Sequence, residues 1–339
     1  MQNAAELPNV LSDFFSTVGQ KLAANVPNTN YHYKEYVAKV NFASSFFFDP
    51  VIPLDIELEI SLLPSNKAYG LYSCPVRILK CARNILSSPL AELINLSLQS
   101  GKYPSKLKHA KIIRVYKGDD ETDPNNYCPI PLLSVFNRIF EKKTMYNRLK
   151  SYIKYDFREK FSAQHAMLDK VNMDKKTFTC GVFIDCKKAF DTMNHTIMLE
   201  KLYHYGIRGI VHEWFSSCLG NRTQTTHIDN DHISLKKNAP TGIPQGSVLG
   251  PLLFLIYIND IYLCSNKLGF YLFADNTNLK SLESVVNTEM KNVCDWLNAN
   301  KLTISAKKSN FVVFRPRQRR TNHKTCIRIP DNRNKSKEK

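Results

Sequence analysis

Apolar positions along the chain switch between helical and strand-like spacing. Leu11, Phe14, Phe15, Val18 and Leu22 recur every three to four residues, which predicts an amphipathic helix over residues 7–25. Residues 26–70 are polar and read as extended, with Phe46, Phe47 and Phe48 as packing aromatics rather than a base-stacking platform. Residues 75–100 carry two helical patterns with Ile78, Leu79, Ile85, Leu90, Leu93 and Ile94 as core candidates. Ile112, Ile113 and Val115 give strand character, and residues 134–152 read as a helix burying Phe136, Ile139, Phe140, Met145 and Leu149. Residues 194–205 form a helix ended by Gly206, and the next helix buries Ile210, Trp214 and Cys218 at fourfold spacing. A polar hairpin over 224–235 precedes a Gly/Pro-rich turn and an apolar helix over 242–260. Leu282, Val286, Met290, Val293 and Leu297 mark a last helix, followed by short strands near 302–304 and 311–314.

Two apolar runs end in an acid. Residues 178–191 read FTCGVFIDCKKAFD, a strand leading into Asp185. Strands disfavour Asp, so this acid has two readings: a helix N-cap, or a ligand for something cationic at the strand's exit. Residues 268–279 read LGFYLFADNTNL, and Asp275-Asn276 between strand-like runs is a hairpin signal that puts Asp275 at a tip. Two strands can thereby set Asp185 and Asp275 side by side. The repulsion between them is removed by divalent metal, and an incomplete shell of hard oxygens suits Mg²⁺ when phosphates supply the remaining ligands. Two such ions about 3.5–4 Å apart would clamp an in-line phosphoryl displacement. Between these runs, Gln245-Gly246 sets an amide beside a residue that allows close backbone approach to a ligand; the plainer reading is a turn feeding a buried helix. Lys102, Lys106, Lys108, Lys111, Arg114 and Lys117 form a basic stretch that is either a solvated face or a path for a template backbone. His227, Asp229, Asp231 and His232 read as hairpin-turn chemistry rather than a metal site.

Taken in order, GVFIDCKKAFDTMNH, GIPQGSVLGPLLFLIYINDI and FYLFADNTNL resemble the reverse transcriptase domain of non-long-terminal-repeat retrotransposons, of the jockey or chicken-repeat-like kind. The likeness extends to DPNNYCPIPLLSVFNRIFEK upstream and DWLNANKLTISAKKSNFVVF downstream, about residues 100–315. It implies an α+β polymerase right hand, with an antiparallel palm sheet bearing helices on one face, truncated fingers and a largely absent thumb. It implies a connector over 1–95, fingers over about 96–165, a palm over about 166–315 and a basic disordered tail over 316–339. By resemblance, Asp185 and Asp275 hold a two-ion Mg²⁺ site, Phe190 screens the sugar 2′-position, and Gln245, Gly246 and Lys117 bind nucleotide or template. Lys308 matches the lysine near the leaving pyrophosphate. The implied reaction is RNA-directed DNA synthesis, with an RNA template, a DNA primer and deoxynucleoside triphosphates as partners. The sequence departs from the pattern at Asn276, where the family has a second acid, and at Cys128, where it has an arginine on the triphosphate. About ten residues of the fingers are missing between Gln164 and His165, with a similar shortfall after Leu279. The expected activity is therefore reduced, and the rival reading is a catalytically dead nucleic-acid-binding remnant.

Charge agrees with a polyanionic partner: the 339 residues carry a net +17. Ten Lys or Arg against Asp331 and Glu338 put +8 of this in residues 315–339. Nine cysteines without CxxC spacing read as reduced thiols of a cytoplasmic or nuclear protein, and no secretion signal is recognisable at the N-terminus. The longest apolar run, residues 252–258, is too short to cross a bilayer.

Overall fold

A computed structural model describes residues 6–37, 46–65, 70, 75–142, 179–229, 231–266, 269–273, 276–281, 283–314, 328–329 and 337–338. The N-terminal half is mainly helical: α1 (Leu7–Ala24), α2 (Pro53–Ser61), α3 (Val76–Cys81) and α4 (Arg83–Ser100). Then come β1 (His109–Tyr116), β2 (Tyr127–Leu132) and α5 (Val135–Glu141). The second half runs β3 (Thr179–Asp185), α6 (Ala189–Thr192), α7 (His195–His204), α8 (Gly209–Leu219), β4 (Thr223–His227), β5 (Lys237–Asn238) and α9 (Leu249–Ile258). It closes with β6 (Gly269–Phe273), β7 (Asn276–Ser281), α10 (Glu283–Ala299), β8 (Asn310–Phe314) and a two-strand ladder, β9 (Arg328–Ile329) with β10 (Lys337–Glu338).

Among the described residues the architecture is mixed α/β with two four-stranded sheets. One has the order β6-β7-β3-β8 and is antiparallel throughout. The other, β2-β1-β4-β5, is mixed, because β1 and β4 run parallel with His109 opposite Thr223 and Ile113 opposite His227. The main core gathers around α9, which is apolar on all sides and buried along its length, as a central helix must be. Trp214, Phe215, Phe254, Tyr257 and Trp296 are fully buried there.

Local signals are obeyed where the backbone decides. Asn194 caps α7 by accepting from the Ile197 N–H at 3.1 Å. At the other end, Gly206 has φ +85°, and the amides of Gly206 and Ile207 return to the carbonyls of Tyr203 and Leu202. That is the paired-bond ending that glycine permits.

Several expectations need correction. Residues 26–70 are not uniformly extended: α2 lies within them and buries Ile56 and Ile60. Pro53 begins that helix and the Asp55 carboxylate accepts from the Ile52 N–H at 3.3 Å. Ile78, Ile85 and Leu93 are exposed rather than core. The buried face of α4 is made of Ser87, Ala91, Ile94, Ser97 and Leu98, three of them small residues that admit close neighbours. Ser97 Oγ accepts from the Trp214 indole at 3.1 Å, and Asn95 bonds both main-chain groups of Val51. Ile210 is likewise exposed, since α8 buries Val211, Trp214, Phe215 and Cys218 instead. Ile304 forms a single bridge to Cys186 rather than a strand. Phe47 is exposed, while Phe48 packs edge-on to Trp214 with centroids 5.8 Å apart. The expected helix over 134–152 is described as far as residue 142, and Met145 and Leu149 lie outside the described residues. So do the expected gap at Gln164 and His165 and most of the basic tail.

Candidate active site

β3 delivers Asp185 to the end of the antiparallel sheet, where its Cα partner on β7 is Asn276. On the opposite edge the segment 303–309 holds the main chain around Asp185. The Asp185 amide donates to Ser309 Oγ at 3.1 Å, and its carbonyl accepts from Ser305 N–H at 2.8 Å. The Lys187 amide adds a third clasp on Thr303 O at 2.8 Å. Both main-chain groups of the half-buried Asp185 are thereby engaged. Lys308 sits exposed on this same turn, its amide bonded to Ser305 O at 3.0 Å. Asp275 lies outside the described residues; its neighbours Phe273 and Asn276 are paired with each other across the β6–β7 hairpin. Asn276 is therefore the first residue of a strand rather than part of the turn.

After Asp185 the chain turns through Lys188, a non-glycine at φ +48°, into α6. Phe190 is half-buried with its ring 5.2 Å from that of Phe254. The loop before α9 docks on this turn: Ile243 N–H donates to Phe190 O at 2.8 Å, and Gly242 N–H to Met193 O at 2.9 Å. His195 Nε2 contacts Gly242 O at 2.7 Å. Gly242 is required here, since its φ is +79° and an added Cβ would stand 2.6 Å from Phe190 O. The loop then presents Gln245, half-buried, and Gly246, exposed at φ +92°.

A cleft of about 60 Å³ opens beside this loop, lined by Gly19, Pro131, Asp191, Arg222, Gln224 and Gln245 among others. Gln245 lines it, and the residue contributed by α6 is Asp191. Burial pushes the Asp191 carboxyl above its ordinary range, against the pull of Lys188 and Lys117. Burial also holds the Lys188 ammonium down, with Asp191 opposing and Lys117 reinforcing. Lys117 is exposed at the end of β1, close enough to influence both groups. Cys128 is half-buried on β2 opposite Val115.

Two contributors are not legible in the sequence. Asp191 was hidden as the polar neighbour of Phe190, although an acid next to an aromatic at a strand exit could have been singled out. The wall formed by α1 has no sequence signal: Gly19 packs so closely that a Cβ would fall 2.0 Å from Asp191 O. Residues 7–24 thus pack closely against α6.

His227, Asp229, Asp231 and His232 make a turn: Asp229 Oδ1 accepts from the amides of Asp231 and His232 at 2.9 and 2.7 Å. Among the described residues no group of three or more His, Cys, Asp or Glu is placed to hold a metal. Among the described residues no helix is long and apolar enough to cross a membrane.

Residues 115–334 match the family model described as reverse transcriptase (RNA-dependent DNA polymerase). The chain is 31% identical over 222 residues to the RNA-directed DNA polymerase from mobile element jockey of Drosophila melanogaster, covering 60% of the chain and 23% of the relative. It is 29% identical over 238 residues to the probable RNA-directed DNA polymerase from transposon BS of the same organism, covering 62% and 25%. A Pol polyprotein from the type-1 retrotransposable element R2 of Popillia japonica is 23% identical over 241 residues, covering 64% and 34%. The chain thus spans about a quarter of the length of the first two of these relatives.

Proposed function

Because the chain belongs to the reverse transcriptase (RNA-dependent DNA polymerase) family, we propose that its site is built for RNA-directed DNA synthesis and that this copy performs it weakly. In the proposed reaction a primer 3′-hydroxyl attacks the α-phosphate of a deoxynucleoside triphosphate on an RNA template, and pyrophosphate leaves. The observation that carries the reading is the pairing of Asp185 with Asn276, which puts the residue after Asp275 directly across the ladder from Asp185. Asp185 and Asp275 would hold Mg²⁺, which when bound neutralises charge on the phosphates and activates the attacking hydroxyl. Phe190, braced by Phe254, would exclude a 2′-hydroxyl. Gln245 and Gly246 would position the nucleotide against the template, Lys117 would contact phosphate at the end of β1, and Lys308 would meet the leaving pyrophosphate. In this reading the antiparallel sheet lies in the palm, about 166–315; β1 and β2 of the mixed sheet belong to the fingers, about 96–165, while its β4 and β5 come from the palm segment, and α1 packs on β4 and β5. The basic segment 316–339 would add phosphate contacts, and the protein would act in the cytoplasm or nucleus.

The weakness follows from two residues. Asn276 supplies a neutral amide where the resembled families have an acid, so the site has one formal charge fewer facing metal. Cys128 cannot offer the cationic fork that grips a triphosphate. Each 1.36 kcal/mol of lost transition-state stabilisation slows a reaction about tenfold. Primer extension on an RNA template with Mg²⁺ or Mn²⁺ tests the proposal. Asn276→Asp together with Cys128→Arg is expected to raise the rate more than the product of the single effects, because both act on one substrate. Asp185→Asn is expected to abolish whatever extension remains. Extension that survives Asp185→Asn would sink the assignment, and a complete absence of extension in the repaired chain would favour a binding-only remnant.

A further inference from the structure

We propose that Glu141 is a positioning residue that sets the Gln245-Gly246 loop through the N-terminus of α9; this rests on the nucleotide-facing role proposed for that loop. Glu141 is the last residue of α5 and is buried. Its Oε2 accepts from the amides of Val248 at 2.6 Å and Leu249 at 3.2 Å, the first free N–H groups of the ten-residue helix α9. Its Oε1 accepts from Asn137 Nδ2 at 2.6 Å, and Asn137 Oδ1 in turn accepts from the Tyr103 hydroxyl. Arg222 supplies the nearby cation. A buried acid costs stability unless its oxygens are occupied, and here both are. A carboxylate at a helix N-terminus is also on the favourable end of the helix dipole.

The functional consequence comes from spacing. At its front end the loop is pinned by Gly242 and Ile243 to Met193 and Phe190. At its rear end it is pinned by Glu141 at Val248. Between the two anchors lie four residues, Pro244, Gln245, Gly246 and Ser247. That short span is folded further by Ser247 N–H on Pro244 O at 3.1 Å and by Gly250 N–H on Ser247 Oγ at 2.9 Å. Gln245 and Gly246 therefore stand at a height fixed by the two ends. Release of the rear anchor leaves the front contacts in place and lets the presenting residues drift.

The test is nucleotide affinity of the full chain on an RNA template with a dideoxy-terminated DNA primer, which reads binding without turnover. Gln245→Ala, Glu141→Ala, Glu141→Asp and Glu141→Gln are compared, with unfolding measured in parallel. Glu141→Asp keeps the charge but draws the carboxylate back from the two amides, so it reports positioning even if Glu141→Ala does not fold. Expected are a Kd raised about tenfold by Gln245→Ala and by Glu141→Asp, with binding stoichiometry unchanged, and near-normal affinity for Glu141→Gln, which retains an acceptor. A merely structural role would lower stoichiometry and leave the Kd of the folded fraction alone. Weakening by Gln245→Ala with normal affinity in Glu141→Asp overturns the positioning role. Normal affinity in Gln245→Ala overturns the nucleotide-facing reading of the loop itself, and the inference with it.

Discussion

At the scale of single residues, the site depends on backbone conformations that few side chains allow. Gly242 holds φ +79° while its amide binds Met193 O, so Gly242→Ala must both enter a strained region and displace the Phe190 carbonyl. A loss of about 1–3 kcal/mol is expected in urea unfolding, together with weaker nucleotide binding. An unchanged midpoint would mean that the loop can detach from α6 without cost. The sequence made Asp185 legible because an acid ending an apolar strand breaks a propensity rule, and Gln245-Gly246 legible because amide and glycine coincide. Glu141 was not legible. It stands in a helical pattern among basic residues, and nothing local announces that two amides a hundred positions later need an acceptor.

Among elements, three helices are held together by a charge pair that water does not reach. Lys201 of α7 lies 2.8 Å from Asp260, just past α9, and its ammonium is 5.0 Å from the rings of Tyr257 and of Trp296 on α10. Both side chains are buried. Burial pushes the lysine pKa down and the aspartate up, and each partner resists the other's shift. Lys201→Met alone should cost about 3–5 kcal/mol, because it strands a buried carboxylate. Lys201→Met with Asp260→Leu should recover most of that loss, and a double-mutant cycle in urea checks it. Additive losses would mean that the two do not act as a pair. The caps of α7 could be read from Asn194 and Gly206, since caps are local. The buried faces of α4 and α8 could not be read as reliably. The contact face of α4 mixes Ser87, Ala91 and Ser97 with Ile94 and Leu98, and that of α8 sets Val211 beside Trp214 and Phe215, while Ile85 and Ile210 face outward.

For the whole molecule, three histidines bias stability in one direction. His109, His195 and His227 all have pKa values held below the ordinary value, first of all by burial. The unfolded chain then binds more protons than the folded one just below pH 6.5, so stability should be full above that pH and fall as pH drops through the folded values. The raised carboxyls of Glu141, Asp191 and Asp260 work the other way as pH rises. His195→Gln should therefore flatten the acid-side slope of the urea midpoint between pH 7 and 5.5, and an unaltered slope would remove His195 from the account. The mixed sheet has a different consequence, one of timing. His109 and its partner Thr223 are 114 residues apart, and β1 cannot find its parallel neighbour until β4 has been synthesised. At roughly 5–20 residues per second that wait lasts about 6–23 s. Throughout it, β1 has the open edge that β4 will later occupy, and α1 lacks its contacts with β4. A nascent chain stalled in that interval offers a sticky strand edge to its neighbours on the same message, so slower translation between β1 and β4 should favour aggregation over a folded product.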